Sequence, residues 1–468
     1  MTLNPLIFRA YDIRGLAGED LDESIYYSLG RAYGTYLSHR RIISCPVGHD
    51  NRAESERYTR SFIKGLNESG IDTFYLGFSL SQIVYFASYR FLTRGYAMIT
   101  ASHNPKEFNG LKLGSGYSES LSGEGIQNIK KIAEEGNFTS GKGKNSNINI
   151  FSDYQKNLLK LFKLKKRWKV VVDTSNSTSG LFYPSIFSRA GCTVIKQNCN
   201  LDSKFPLGTP DPTDTKVLKR LADRVLKEKA DLGFAFDADG DRMAVIDELG
   251  HTLWMDIVLS IFAKDTLETL PGSTIIYNSL CSKTVPNTVL KYGGKPVMGK
   301  TGHSFIKEKM RETGAMLGGE LSGHIFFLDN YFGHDDAAYA CLRLLNFLER
   351  KNSSLAQVAT EFLGFIGSPE IKLMVEDVLK FDLVSGPIKQ DLLASWPNAS
   401  VSEMDGVRID TPDTMVIVRA SQNGPYITAR FECRNDAAYD IVKTRVRDIF
   451  HRNAAISWEN GVNVDALT

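Results

Sequence analysis

The segment DLGFAFDADGDRMAVID at 231–247 sets three carboxylates, Asp237, Asp239 and Asp241, at alternate positions straight after an apolar run. Acids packed this closely repel one another, and beside a hydrophobic segment each also loses hydration. A cation that gathers them relieves both costs, and oxygen ligands on a loop suit Mg²⁺, Ca²⁺ or Mn²⁺. Ser102 is the second group equipped for chemistry. It lies in AMITASHNP at 97–105, where small and apolar residues give way abruptly to Ser-His-Asn-Pro.

Several readings compete for these residues. A solvated acidic turn would need no cation, but acids directly after Phe-Ala-Phe are costly without a partner. An EF-hand fails because Arg242 stands where that loop requires glycine. The D-x-D-G opening of a haloacid-dehalogenase-type phosphatase comes closer, with Asp241 in place of that motif's Thr or Val. A hydrolase-type serine needs the elbow G-x-S-x-G, whereas Ala101 and His103 flank Ser102. In an extended segment neighbouring side chains face opposite ways, so His103 is expected to point away from Ser102. A phosphate carrier fits better than a structural serine. Phosphoserine carries about −1.5 to −2 charges at neutral pH, and an acid-bound dication would neutralise that charge and polarise the P–O bond.

TASHNP with NPKEFNGLKL, DADGDR, GGELSGH and RASQNGP, in that order, resembles the α-D-phosphohexomutases, most closely their bacterial phosphomannomutase/phosphoglucomutase branch. The resemblance spans almost the whole chain. It implies reversible exchange of hexose 1-phosphate and hexose 6-phosphate (mannose and glucose sugars) through a phosphoserine and a hexose 1,6-bisphosphate. Phosphoglucosamine mutase and a sugar-phosphate phosphatase are the alternatives, and Leu321 before Ser322 disfavours the former. By the resemblance Ser102 carries the phosphate and, with Asp237, Asp239 and Asp241, holds Mg²⁺. Glu320 and Ser322 bind sugar hydroxyls, and His324 stands beside them. A carboxylate that accepts two adjacent hydroxyls tolerates a sugar turned end for end, as the second half-reaction requires. Arg419, Ser421, Gln422 and Asn423 clamp the non-reacting phosphate, for which a guanidinium is well shaped. Tyr11, His103, Arg242 and Lys300 complete the substrate set. His303, Lys112 and Arg14 are the candidates for proton transfer or charge stabilisation. Gln422 and Asn423 depart from the usual Asn-Thr, and Leu280 replaces a frequent lysine. GFSLSQ at 77–82 lacks Pro-Thr-Pro, and Ser177 replaces a common glycine.

These groups must be held by repeated elements. Three segments, at 42–77, 169–197 and 273–301, each run from a β-branched strand ending in Asp50, Asp173 or Asn278 through a polar loop into a helix. Gly70, Gly191 and Gly294 are expected to close those helices before a further strand. Three such passages predict three homologous mixed α/β domains, at 1–147, 148–250 and 251–361. Beyond them, alternating strands with an Asn423-Gly424 turn and one helix predict a smaller α+β domain at 362–468; the resemblance implies that all four surround a central cleft. GFIGSP, within 364–369, is a candidate hinge.

The 468 residues are 42% hydrophobic and 24% charged with a net charge of +2, the profile of a globular enzyme without a nucleic-acid-binding surface. Six scattered cysteines lack metal or disulfide spacing, and no secretory or membrane-spanning segment is evident, so a cytoplasmic protein is expected. Its partners are expected to be small sugar phosphates, with neither nucleic acid nor membrane, in a monomer or weak homo-oligomer.

Overall fold

A computed structural model describes residues 3–468. Its first three sheets share one four-strand pattern. Ser44–His49 is flanked by parallel Asp72–Phe78 and Tyr96–Ile99, with Phe108–Gly116 antiparallel beyond. Lys169–Asp173 is flanked likewise by Thr193–Gln197 and Leu232–Phe236, followed by antiparallel Met243–Asp247. Thr274–Asn278 repeats the pattern with Lys295–Gly299, Leu317–Gly319 and Ile325–Phe327. In every copy the connection between the third and fourth strands is a short turn at one end of the sheet. Those turns carry Ser102, the three aspartates, and Glu320 with Ser322 and His324. The fourth sheet is antiparallel, and its hairpin between Thr414–Ala420 and Tyr426–Cys433 carries Ser421, Gln422 and Asn423.

Local sequence explains the elements. The central strand Leu232–Phe236 is buried at every residue, as a strand covered on both faces must be. The helix Thr215–Glu228 is capped by the Asp214 side chain, which accepts from Lys216 N at 2.8 Å. It turns Val217, Leu218, Leu221 and Val225 onto Val171, Ala235 and Ile246 of the sheet. Left-handed glycines end the strand-linking helices as expected at Gly70 and Gly191. In the third copy, however, the positive φ of 74° belongs to Gly293 and not Gly294. The Asn423-Gly424 turn is also not a two-residue hairpin. Five residues link the strands, and Ser421 Oγ accepts from the backbone of Asn423 (3.2 Å) and Gly424 (3.1 Å). The last unit further contains a helical stretch from Lys380 to Ser395 and an edge strand Ser457–Val462, neither of which its polar sequence announces.

The units are joined in two different ways. The second and third share one continuous apolar core in which Phe187, Phe234 and Phe236 pack with Phe262, Tyr339 and Leu342. The first and fourth have their own cores, with Leu80, Ile83 and Phe86 of the first and Met415 and Ile417 of the fourth extending into the shared one. Polar contacts dominate the fourth unit's attachment: Arg430 to Leu280 O (2.6 Å) and Asp256 (2.5 Å), Lys372 to Asp211 (2.6 Å), and Asn423 Nδ2 to the Tyr11 hydroxyl (2.8 Å). All six cysteines are unpaired, and no described helix is long and apolar enough to cross a membrane.

His334 fastens the first unit to the third. Its Nδ1 lies 2.9 Å from Ser118 Oγ, and its ring stacks on Phe332 and meets Tyr85. Burial, aided by Lys307 and opposed by Asp335, pushes its pKa down to about 3. The unfolded chain therefore binds this proton first, and His334's contribution to stability is complete above about pH 6.5 and drains as the pH falls toward 3. Between pH 7.5 and pH 5 the native protein is expected to lose about 2 kcal/mol more than His334→Gln, measured by denaturant titration of both. Equal losses would remove His334 from this role.

Candidate active site

The first and second repeats meet turn to turn. Ser102 sits at φ 50°, a left-handed conformation uncommon outside glycine, and is only 2% exposed. Its Oγ donates to Asp237 Oδ2 at 2.8 Å, across the boundary between units. The same backbone bend brings His103 Nδ1 to 3.2 Å from Ser102 Oγ. The expectation that these neighbours face apart therefore fails, because the segment is not extended where they meet. Burial, reinforced by Arg242, lowers the His103 pKa well below the ordinary range, so the ring is neutral.

The carboxylates of Asp237, Asp239 and Asp241 offer oxygens within 4.8 Å of one another. Burial and the other two acids raise Asp237 well above the usual carboxylate range. Burial also opposes the charge on Asp239, but Lys112 and Ser81 outweigh it and hold that group low. Lys112 Nζ donates to Asp239 Oδ2 and Asp241 Oδ2, each at 2.6 Å. Burial works against the ammonium, yet the two acids raise its pKa above the ordinary lysine value. Asp239 Oδ1 and Asp241 Oδ1 are buried without hydrogen-bond partners. Unpartnered anionic oxygens of this kind, converging beside Ser102, fit a hard divalent cation. Arg14 donates to Asp12 (2.9 Å) and to Thr100 O (2.7 Å), bracing the serine turn from behind.

Next to this centre lies a small cavity of ≈ 40 Å³ to which all four units contribute residues. Several buried polar atoms of its lining residues have no hydrogen-bond partner, among them both His303 ring nitrogens, Glu320 Oε1, Ser322 Oγ, Asn423 Oδ1 and Thr428 Oγ1. Such groups are rarely left unsatisfied unless a ligand takes them. Burial raises the Glu320 pKa and lowers that of His303 well below its usual value. Tyr11 closes over His303 edge-on, with ring centroids 5.1 Å apart. Arg242 Nε donates to His324 Nε2 at 2.8 Å, and His324 Nδ1 stands 2.8 Å from Asp335 Oδ2. An arginine only donates, so the His324 proton belongs on Nδ1, toward the acid. Asp405 takes the Nε side of Arg419 at 3.0 Å and also accepts from Ser279 Oγ (2.7 Å) and Thr301 N (2.9 Å).

Most residues singled out from sequence thus converge. Tyr11, His103, Arg242, His303, Glu320, Ser322, His324, Arg419, Ser421, Gln422 and Asn423 line the cavity. Lys300 does not. It is exposed and faces a neighbouring groove with Asp405 and Phe381, which Gln422 also borders. Leu280 is fully buried in the apolar core, so its side chain reaches no ligand. Asp335, Asp405, Lys372 and Thr428 were missed. Asp335 had a signal in the paired acids of GHDDA at 333–337, whereas the other three are single polar residues in otherwise ordinary stretches.

Comparison with known proteins decides the family. Residues 5–140, 151–250 and 254–364 match domains I, II and III of the phosphoglucomutase/phosphomannomutase description, each an alpha/beta/alpha domain. The phosphomannomutase/phosphoglucomutase of Pseudomonas aeruginosa is 37% identical over 447 residues, 96% of each chain. The chain belongs to the phosphoglucomutase/phosphomannomutase family. It is a phosphohexomutase, an isomerase. A phosphoglucomutase of Neisseria meningitidis is 31% identical over 97% of this chain and 98% of its own. A solved family protein from Burkholderia thailandensis superposes with a TM-score of 0.87 at 31% identity, covering 98% of this phosphohexomutase and all of its own chain. The three α/β repeats and fourth sheet expected from sequence are borne out.

A divalent cation bound only by the folded phosphohexomutase raises its stability by about 2.7 kcal/mol at 100 times Kd. A matching rise in Tm is expected for the native protein and not for a doubly substituted Asp237→Asn, Asp239→Asn variant. Equal shifts in both would put the cation elsewhere.

Proposed function

We propose that this mutase exchanges mannose 1-phosphate with mannose 6-phosphate, and the glucose pair likewise, using Ser102 as the phosphate carrier and a hexose 1,6-bisphosphate as the intermediate. The observation that carries this reading is the 2.8 Å approach of Ser102 Oγ to Asp237, with the oxygens of Asp239 and Asp241 beside it. The three acids and the phosphoserine would hold Mg²⁺, which supplies charge neutralisation at the transferring phosphoryl group. The unpartnered carboxylate oxygens support that fit. The division into units at 1–147, 148–250, 251–361 and 362–468 is part of the same reading, as are a cytoplasmic setting and a monomer or weak homo-oligomer.

In the first half-reaction a sugar hydroxyl attacks the phosphoserine phosphorus, sheds its proton and releases Ser102 Oγ; in the second, Ser102 Oγ attacks the other phosphate of the bisphosphate, and the departing sugar oxygen takes up a proton. Lys112 and Arg14 are held as cations on buried acids and serve charge stabilisation on the serine side. His303 is neutral with both nitrogens unpartnered, which suits a proton acceptor, and an entering phosphate would draw its depressed pKa upward. Glu320 and Ser322 would accept and donate to ring hydroxyls, their free Oε1 and Oγ being aimed into the cavity. Arg419, fixed by Asp405, and the Ser421–Asn423 turn would hold the distal phosphate. Lys300, outside the cavity, keeps at most a peripheral part in binding.

Ser102→Ala is expected to abolish formation of glucose 6-phosphate from glucose 1-phosphate in the presence of trace glucose 1,6-bisphosphate. Calorimetric binding of the sugar phosphate should persist. Turnover above a small residual would displace Ser102 from the role. Inorganic phosphate accumulating in step with substrate loss in the native protein would favour a phosphatase.

A further inference from the structure

The turn that follows the first strand, Asp50-Asn51-Arg52, has no place in the chemistry above, yet it holds the serine turn more tightly than any other element. Arg52 is 3% exposed, and its guanidinium directs hydrogen bonds at five acceptors. Nε donates to Asp50 Oδ2 at 3.1 Å. Nη1 donates to the carbonyls of Pro105 (2.6 Å) and Phe108 (3.0 Å), and Nη2 to those of Ser102 (2.9 Å) and Asn104 (2.7 Å). A guanidinium has five N–H groups in a rigid fork, so all its capacity is spent, four parts of it on one loop. Asp50 completes the frame by accepting from Thr100 Oγ1 at 2.7 Å, and Thr100 Oγ1 in turn accepts from Ser102 N at 2.8 Å. Both backbone polar groups of Ser102 are thereby fixed from the same turn.

The turn also docks on the second unit, which carries the acids. Asn51 N donates to Thr178 Oγ1 at 2.8 Å, and Asn51 Nδ2 to Asn176 O at 3.1 Å. The Phe205 ring lies 5.4 Å from the Arg52 guanidinium. The other repeats use the same region in the same way. In the second, Ser177 Oγ of the turn (3.3 Å) and Ser179 Oγ at the start of the next helix (2.7 Å) donate to Asp237 O, and in the third Asn278, the last residue of the strand, accepts on Oδ1 from Leu321 N at 3.1 Å. In each repeat residues at the end of the first strand or just beyond it brace the turn after the third.

We infer that Arg52, with Asp50 and Thr100, is the positioning device of this mutase, holding Ser102 in its left-handed conformation and setting its Oγ against the acid turn of the second unit. The inference rests on the carrier role of Ser102. A displacement of about 1 Å at a reacting group costs on the order of 100-fold in rate. Arg52→Lys keeps the charge and loses the fork. It is expected to lower kcat about 100-fold while KM for glucose 1-phosphate changes less than about threefold, and to slow labelling of Ser102 by glucose 1,6-bisphosphate equally. A role confined to stability would lower Tm and leave kcat of the folded protein intact. Thr100→Val tests the second arm should Arg52→Lys fail to fold. It is expected to lose about tenfold or more in kcat at unchanged KM, and Thr100→Ser to recover most of that loss. Near-native kcat in folded Arg52→Lys, or in Thr100→Val, overturns the inference. Ser102→Ala measured alongside separates the two ideas. Activity there removes the carrier role itself, whereas an inactive Ser102→Ala beside an active Arg52→Lys removes only the positioning device.

Discussion

Placing three carboxylates in a buried turn is the constraint around which the rest of the molecule is arranged. Burial alone raises such groups toward neutrality, and Asp237 shows that tendency. Asp239 escapes it because a buried lysine is pressed against it. That lysine comes from the first unit and the acids from the second, so the electrostatics of the centre exist only when the two are docked. The same seam sets the serine hydroxyl against Asp237. Docking and reactivity are one event here, and the polar turns that fasten the seam matter as much as the groups that react.

A single structural idea, used repeatedly, supplies the parts. A parallel pair of strands followed by an antiparallel return leaves a tight turn at one sheet end, and each repeat fills that turn differently: hydroxyl, carboxylates, cavity-facing carboxylate. Tight turns are short and heavily hydrogen-bonded, so they present side chains with little freedom to wander. The fourth sheet contributes through a longer hairpin loop whose backbone is held by Ser421.

Much of this was legible from sequence because each reactive turn is a dense local signal. DADGDR is expensive unless it binds something, and TASHNP interrupts a buried strand. The glycine-closed helices and β-branched runs exposed the repeats, although one capping glycine was displaced by a residue. What sequence could not reveal is reach. Arg52 looks like any arginine opening a helix, and only the folded backbone gathers four carbonyls within its span. Asp405 and Lys372 are similar, being ordinary charged residues until domains meet. His103 misled for the converse reason. Alternation holds in strands, and the serine before it leaves that conformation at φ 50°. Lys300 was placed by resemblance, and the chain directs it to a different surface.

The contrast between the seams has a mechanical consequence. Where the second and third units merge, aromatic rings interlock, and separating them would expose oily surface to solvent. The last unit rests on its neighbours largely through charged and hydrogen-bonding contacts, which water can take over one by one at small net cost. In the proposed cycle, a bisphosphorylated sugar can therefore be given room to turn by loosening that wall alone. The dry centre, with its serine and acids in register, need not be rebuilt between the two halves of the cycle.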